Sequence, residues 1–208
     1  MLPPGRPKWR RRKAERPGEI IAAALEVFSE HGFAAARLED VARRAGLSKG
    51  ALYLYFETKE DLFRAVVGEA VAANLTHLEK AVQADLPFEQ TARAGLTVLA
   101  SRLASDRRIS GVVKLVIAES RAMPELARIW HDTVIARALG MIVALIRRAQ
   151  DRGEVRPGDP RLFAMGLVGP MLLAMIWRET FEPVGAAPVS PEALAAQHLE
   201  VVMKGMRP

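Results

Sequence analysis

GFAAARLEDVARRAGLSKGALYLYFETKEDL, residues 32–62, reads as two short helices folded across a glycine. In the first, about 38–45, Leu38, Val41, Ala42 and Ala45 share one face, the three-and-four spacing of a helix with one buried side. Leu47, Leu52 and Phe56 supply the facing surface, and Ala42 is small enough to let two helices cross closely. Gly46 falls where the chain reverses, a place needing positive φ that costs other residues roughly 1 kcal/mol or more. Ser48 is placed to cap the second helix, about 49–56, leaving its first N–H groups open to a phosphate. The outward face of that helix is Lys49, Gly50, Ala51, Tyr53, Leu54 and Tyr55. Two tyrosines and a leucine facing water serve no folding purpose, so the corner has the build of a helix-turn-helix with DNA as its partner. The alternative is that these side chains pack on the rest of the chain.

The charge is localised. Residues 1–16 carry seven Arg or Lys (Arg6, Lys8, Arg10, Arg11, Arg12, Lys13, Arg16) against Glu15 alone, whereas the other 192 residues balance at 23 basic and 23 acidic. The whole net charge of +6 therefore sits in the N-terminal arm, which points to a polyanionic partner. Three readings of the arm stay open: a solvated tail, a membrane-surface patch using Trp9, or entry of Arg11 and Arg12 into a DNA minor groove. Its place directly before the corner favours the groove. The chain has no cysteine, which removes disulfides, thiolate metal sites and cysteine nucleophiles. No apolar stretch follows the basic residues, so the arm is not a secretory signal. The longest apolar run, Leu162 to Trp177, spans 16 residues with Pro170 inside it. Crossing a bilayer takes roughly 18–20, so a cytoplasmic chain with no membrane partner is expected.

Nothing reads as strand, since apolar residues recur at three and four rather than at two. The arm, residues 1–17 with Pro3, Pro4, Pro7 and Pro17, is expected to be disordered. It leads to a first helix at about 18–31, with the stripe Ile21, Ala24, Leu25 and Phe28 and with Gly32 positioned for a left-handed cap. Thr58-Lys59-Glu60-Asp61 has the form of a capping box with Asp in place of Glu. It opens a long helix reaching Asp85, stopped by Leu86-Pro87. Further helices are expected at about 88–105, 107–121, 125–151, 160–179 and 191–204, punctuated by Met123-Pro124, Arg152-Gly153, Pro157-Gly158-Asp159-Pro160 and the loop Pro183–Pro188. The expected architecture is all-α, with about nine helices. A three-helix bundle carrying the helix-turn-helix occupies 18–62, and a larger helical domain occupies 63–208.

In order and register these features resemble the N-terminal motif of the TetR/AcrR family of bacterial transcriptional regulators, over about 45 residues. The resemblance implies that Ser48–Phe56 is a recognition helix. Lys49, Gly50, Ala51 and Tyr53 then lie nearest the base edges, with Leu54 beside them. Tyr55 and Lys59 hold phosphates, and Tyr53 serves either role. Two departures matter. Where family members carry Thr or Ser before the first motif helix, this chain has Ala36-Arg37, so a cap of about 0.5–2 kcal/mol is missing while Arg37 remains able to reach a phosphate as a cation. The family's frequent Thr is Ala51 here, and its frequent His is Leu54 or Tyr55. Fewer hydrogen-bonding groups shift readout toward thymine methyls and DNA shape.

The same resemblance implies that residues 63–208 bind a small-molecule effector and dimerise. Val112–Pro124 (VVKLVIAESRAMP) with Glu125-Leu126-Ala127 is similar to the body of AcrR-type members. Met123, Trp130 and Met141 are candidate apolar lining, each equally readable as plain core, and His77 and His131 are the candidate polar groups. Such a lining suits a hydrophobic, neutral or cationic compound. Leu162–Trp177 is apolar all round and must be covered on every side, which a central place in a monomer would also achieve. The resemblance implies instead a four-helix interface between two copies, using Leu162, Met165, Leu172, Met175, Leu194, Leu199 and Val202. A homodimer in turn implies a palindromic double-stranded operator, its two reading heads about 34–36 Å apart.

No catalytic or metal constellation competes. The chain lacks HExxH, P-loop, GxGxxG and nucleophile-elbow patterns, and His31, His77, His131 and His198 are scattered. Glu39-Asp40 and Glu60-Asp61 are adjacent in sequence and so face different ways; they suit the first turns of helices. Neither enzyme activity, metal nor cofactor is expected. The expectation is a ligand-released repressor, with a DNA-binding architectural protein or an activator without an effector as the alternative.

Overall fold

Ten α-helices and no strand form the described part of the chain; the computed structural model describes residues 8–208, with side chains from Pro17 onward except at Ala73. Helix α1 (Lys8–Ala35) begins about ten residues earlier than expected. The Arg, Lys, Ala and Glu between Pro7 and Pro17 are strong helix formers, and Pro17 is taken inside the helix with the loss of one backbone hydrogen bond. The arm expected to be disordered is thus helical over residues 8–17. Residues 1–7 lie outside the described residues, as do the side chains of Arg11 and Arg12. At Gly32 helix α1 breaks with φ 74° and ψ 160°, not the left-handed cap expected but a region open essentially only to glycine. A Cβ there would also stand 2.6 Å from Glu119 Oε1.

The break turns Phe33 inward. Its ring centroid lies 5.1 Å from that of Phe28 and 5.5 Å from that of Phe63, and all three rings are fully buried. Helices α2 (Leu38–Arg44) and α3 (Lys49–Tyr53) lie against this cluster, burying Leu38, Val41, Ala42 and Leu52. Helix α3 is shorter than the expected 49–56 because the N–H groups of Tyr55 and Phe56 both donate to Leu52 O, tightening the last turn. The long α4 (Lys59–Gln83) starts at the capping box read from sequence: Asp61 N donates to Thr58 Oγ1 at 3.0 Å, and the Thr58 hydroxyl donates to Asp61 Oδ2 at 2.6 Å. Leu62, Phe63, Val66 and Val67 of α4 are buried, so its first turns complete the core of the three-helix head.

The body follows as α5 (Phe88–Ser105), α6 (Arg108–Glu119), α7 (Pro124–Trp130), α8 (Ala136–Asp151), α9 (Pro160–Ile176) and α10 (Pro191–Met206). Prolines open three of these, where a missing N–H costs nothing, and Asp159 and Ser190 cap α9 and α10 by accepting from Arg161 N and Ala193 N at 2.8 and 3.2 Å. Single π turns, His131–Ile135 and Trp177–Phe181, join α7 to α8 and extend α9. Through them the helical stretches Pro124–Asp151 and Pro160–Val184 become long and apolar enough to cross a membrane by length and composition, unlike the 16-residue run considered alone. In the fold their inner faces pack within the body, through Ile142, Leu145, Ile146 and Ala149 on α8 and Ala164, Leu167, Met171 and Ala174 on α9.

Helix α10 lies along α5 and α9, while α6 packs on α1 and so links body to head. A part-buried polar cluster pins the far end of α9: Arg178 donates to Leu103 O and, at 2.7 Å, to Ser110 Oγ, and the Ser110 hydroxyl donates to Glu179 Oε1 at 2.8 Å. One apolar core runs from Ile20 to Met206 without interruption between the two units.

Candidate nucleic-acid interface

The corner between α2 and α3 is built by backbone bonds. Leu47 N donates to Ala42 O at 2.8 Å, and Gly46, with φ 68°, reverses the chain as its position in the sequence requires. Ser48 Oγ accepts from Ala51 N at 3.2 Å, fixing the start of α3, whereas Arg37 before α2 makes no cap bond with its side chain. Helix α3 sorts its residues sharply. Leu52 is fully buried, Tyr53 is 41% exposed and Leu54 84% exposed. Lys49 and Gly50 are also exposed, Ala51 is half-buried, and Tyr55 is half-buried against the core. The alternative in which both tyrosines and the leucine pack inward therefore holds only in part, and only for Tyr55.

The cations of this surface differ in what they are free to do. The Arg37 side chain is exposed and makes no hydrogen bond or salt bridge among the described residues, although its charge acts on the nearby Glu39 carboxylate. Lys49 Nζ lies 2.5 Å from Glu39 Oε1 and 5.8 Å from the centre of the Tyr53 ring. Arg43 pairs with Asp40. Arg44 grips Glu30 through two bonds of 2.7 and 2.6 Å and so ties α2 to α1; these bonds hold the Glu30 carboxyl below the usual carboxylate range.

Lys59 departs from expectation. Its ammonium donates to Phe33 O, Ala34 O and Ala36 O at 2.6, 3.1 and 3.0 Å and sits 4.7 Å from the centre of the Phe33 ring. All three of its donors are engaged by the carbonyls that the broken end of α1 leaves without partners, so none remains for a phosphate. Lys59→Met is expected to cost about 1.5–3 kcal/mol of stability in urea unfolding, the range for losing hydrogen bonds to a charged group. The salt dependence of DNA binding should stay unchanged, where loss of a phosphate contact would flatten it by about one unit.

The five expected effector residues differ in burial. Met123, Trp130 and Met141 are half-buried and packed against the core, but His77 and His131 are exposed, and His131 Nδ1 pairs with its neighbour Asp132 Oδ1 at 2.7 Å. Histidine spacing alone did not reveal which way these helices turn. Asn74 on α4 was missed: its Oδ1 is buried and has no hydrogen-bond partner among the described residues. The signal was a single amide inside the run Ala70–Leu75. A separate shallow depression, with room for about one water molecule, lies between the ends of α4 and α8, lined by Asp85, Phe88, Arg148, Arg152 and Glu154 among others. Its two arginines are already engaged, Arg152 with Asp85 and Arg148 with Val82 O at 2.8 Å. Among the described residues no group of three or more His, Asp or Glu is placed to hold a metal ion.

Leu162, Met165 and Leu172 are exposed on α9, as is Leu173, which the sequence did not single out. Met175, Leu194 and Val202 are half-buried. Leu199 is a correction: it is 2% exposed, because Ala195, Leu199, Met203 and Met206 form the inner stripe of α10. Val201, 64% exposed, takes the outward place instead.

Comparison with known proteins points the same way. Residues 20–66 match the family described as bacterial regulatory proteins, tetR family, and residues 86–191 match the tetracyclin repressor-like C-terminal domain. The chain is 27% identical over 164 residues to the fatty acid metabolism regulator protein of Bacillus subtilis, covering 76% of this chain and 81% of that one. Identity to the HTH-type transcriptional repressor BepR of Brucella suis is 30% over 149 residues, covering 68% and 69%. Among solved structures, FadR from Bacillus subtilis in complex with stearoyl-CoA superimposes with a TM-score of 0.76 at 23% identity, covering 91% of this chain and 99% of that one.

Proposed function

The chain belongs to the TetR family of bacterial regulatory proteins, DNA-binding regulators of transcription rather than enzymes, and from that premise we propose that it is a repressor released from its operator by a small apolar effector. The observation that carries the reading is the bare outward face of α3, where Tyr53 and Leu54 stand exposed above a buried Leu52. Lys49, Gly50, Ala51 and Tyr53 face base edges, with Ser48 holding the helix start and Arg37 meeting a phosphate. Tyr55 braces the corner from behind.

Two copies join through the exposed apolar face of α9, which pairs the heads across a two-fold axis and calls for a palindromic site. The effector sits in the body beside α4, among the apolar side chains of α7 and α8. Asn74 supports this, because a buried amide oxygen without a partner costs about 1–3 kcal/mol and suits a ligand bearing one donor group. Such a ligand reorients α4 and spoils the spacing of the heads. Emptying a mostly occupied operator takes several kcal/mol of differential affinity. A DNA partner places the protein in the cytoplasm.

Tyr53→Ala tests the reading. Its affinity for a duplex selected from a random pool should fall about 10- to 100-fold, the range for one lost base contact, with unfolding unchanged to within about 0.5 kcal/mol. Equal affinity in the variant would remove α3 from the interface. Footprinting upstream of the protein's own coding sequence, with and without a panel of apolar compounds, separates the second reading. A compact palindromic footprint lost on addition marks a ligand-released repressor, whereas a diffuse footprint marks an architectural protein.

A further inference from the structure

Lys49 is the first residue of α3 and Glu39 the second of α2, and their side chains meet at 2.5 Å on the surface that carries Tyr53 and Leu54. The pair does little for the fold. Its side chains are 60% and 46% exposed, and ion pairs in that setting contribute almost nothing to stability. Its effect falls on what approaches from outside. The same ammonium lies 5.8 Å from the centre of the Tyr53 ring, so Glu39 fixes Lys49 beside an aromatic of the reading face.

We propose that Glu39 is a specificity-determining residue, an anionic filter that withholds Lys49 from the phosphates of arbitrary DNA and yields it only to a matched base edge. The inference rests on the DNA-reading role of α3. Binding to an arbitrary duplex is driven by cations that neutralise phosphates and release counterions. Lys49 is already neutralised by Glu39. Using it on a phosphate leaves a bare carboxylate facing a polyanion, so the exchange gains nothing. A guanine edge differs, because O6 and N7 together offer a lysine two directed acceptors away from the phosphate backbone. Lys49 has three N–H donors, so two meet that edge while the third stays on Glu39, and the carboxylate is never bared. The surrounding charges belong to the same arrangement: Asp40 is occupied by Arg43, and Arg37, whose charge also acts on Glu39, makes no salt bridge among the described residues and is the cation left for phosphates. Hydrogen bonding to Lys49 also holds the Glu39 carboxyl below its ordinary range and raises the Lys49 ammonium, so both stay charged through neutral pH.

The experiment compares the full-length protein with Glu39→Gln, Lys49→Met and the double variant on two duplexes. One has random sequence, and the other is selected from a random pool by the wild-type protein. Glu39→Gln should bind the random duplex about five- to tenfold more tightly, the effect of removing one charge at contact distance in water, and the selected duplex within about twofold of wild type. Its salt slope on the random duplex should steepen by about one unit. Lys49→Met alone should weaken binding to random DNA, because it bares Glu39, and the double variant should return to about the wild-type affinity there, so that the gain needs Lys49. An unchanged melting curve for Glu39→Gln is expected with these results. Equal tightening on both duplexes, no change on either, or a gain over wild type that survives Lys49→Met overturns the filter. A wild-type protein that binds no duplex overturns the DNA-reading role itself, and the filter with it.

Discussion

Phe63→Ala should lower the stability of the whole chain by about 3–5 kcal/mol, the cost of emptying a fully buried aromatic site. Phe63 belongs to α4, yet its ring lies 5.5 Å from that of Phe33 and 6.2 Å from that of Phe28, both contributed by α1. The loss therefore spreads beyond the head, since the core continues into the body. Urea unfolding followed by circular dichroism should show a lower midpoint in a single transition. A loss under about 1 kcal/mol would mean that α4 is not part of the head's core, and a head that melts separately would mean that the core does not couple head to body.

Changing Leu172 and Leu173 together to Glu should leave the fold intact and abolish self-association, seen as a halved mass in sedimentation. Both side chains already face water in the single chain, so nothing inside is disturbed. In the proposed dimer they meet their copies, and buried carboxylates facing one another cannot be tolerated. Affinity for a palindromic duplex should fall on the order of a hundredfold or more, because the second head loses the effective concentration its partner supplied. A variant that stays dimeric would move the interface off α9.

The corner was legible because each of its parts has a local cause. Gly46, Ser48, Leu52 and Thr58 act through backbone geometry or through neighbours three to five residues away, and all four sit as their spacing dictates. What escaped the sequence depends on remote segments. A lysine after a turn looks the same whether it faces a phosphate or, like Lys59, the open carbonyls of a helix end about 25 residues earlier. Leu199 and Val201 both suit an outward stripe until α5 and α9 select Ala195, Leu199, Met203 and Met206 as the inward one. The π turns insert one residue into a continuous pattern, too small a phase change for apolar periodicity to reveal. Asn74 gave only a lone amide, and no spacing rule says that its oxygen is buried without a partner.

The Lys59 bonds make the joint between α1 and α4 stiff, since three carbonyls at and just beyond the end of α1 are held by the first residue of α4. Such a joint behaves as a weld. Helix α4 has 25 residues, so at about 1.5 Å per residue it forms a rod of about 37 Å. Pivoting that rod by about 5° at its far end sweeps the welded tip through about 3 Å, nearly the rise of one base pair along B-form DNA. A lever of this length turns sub-ångström repacking near its pivot into a misfit of nearly one base step.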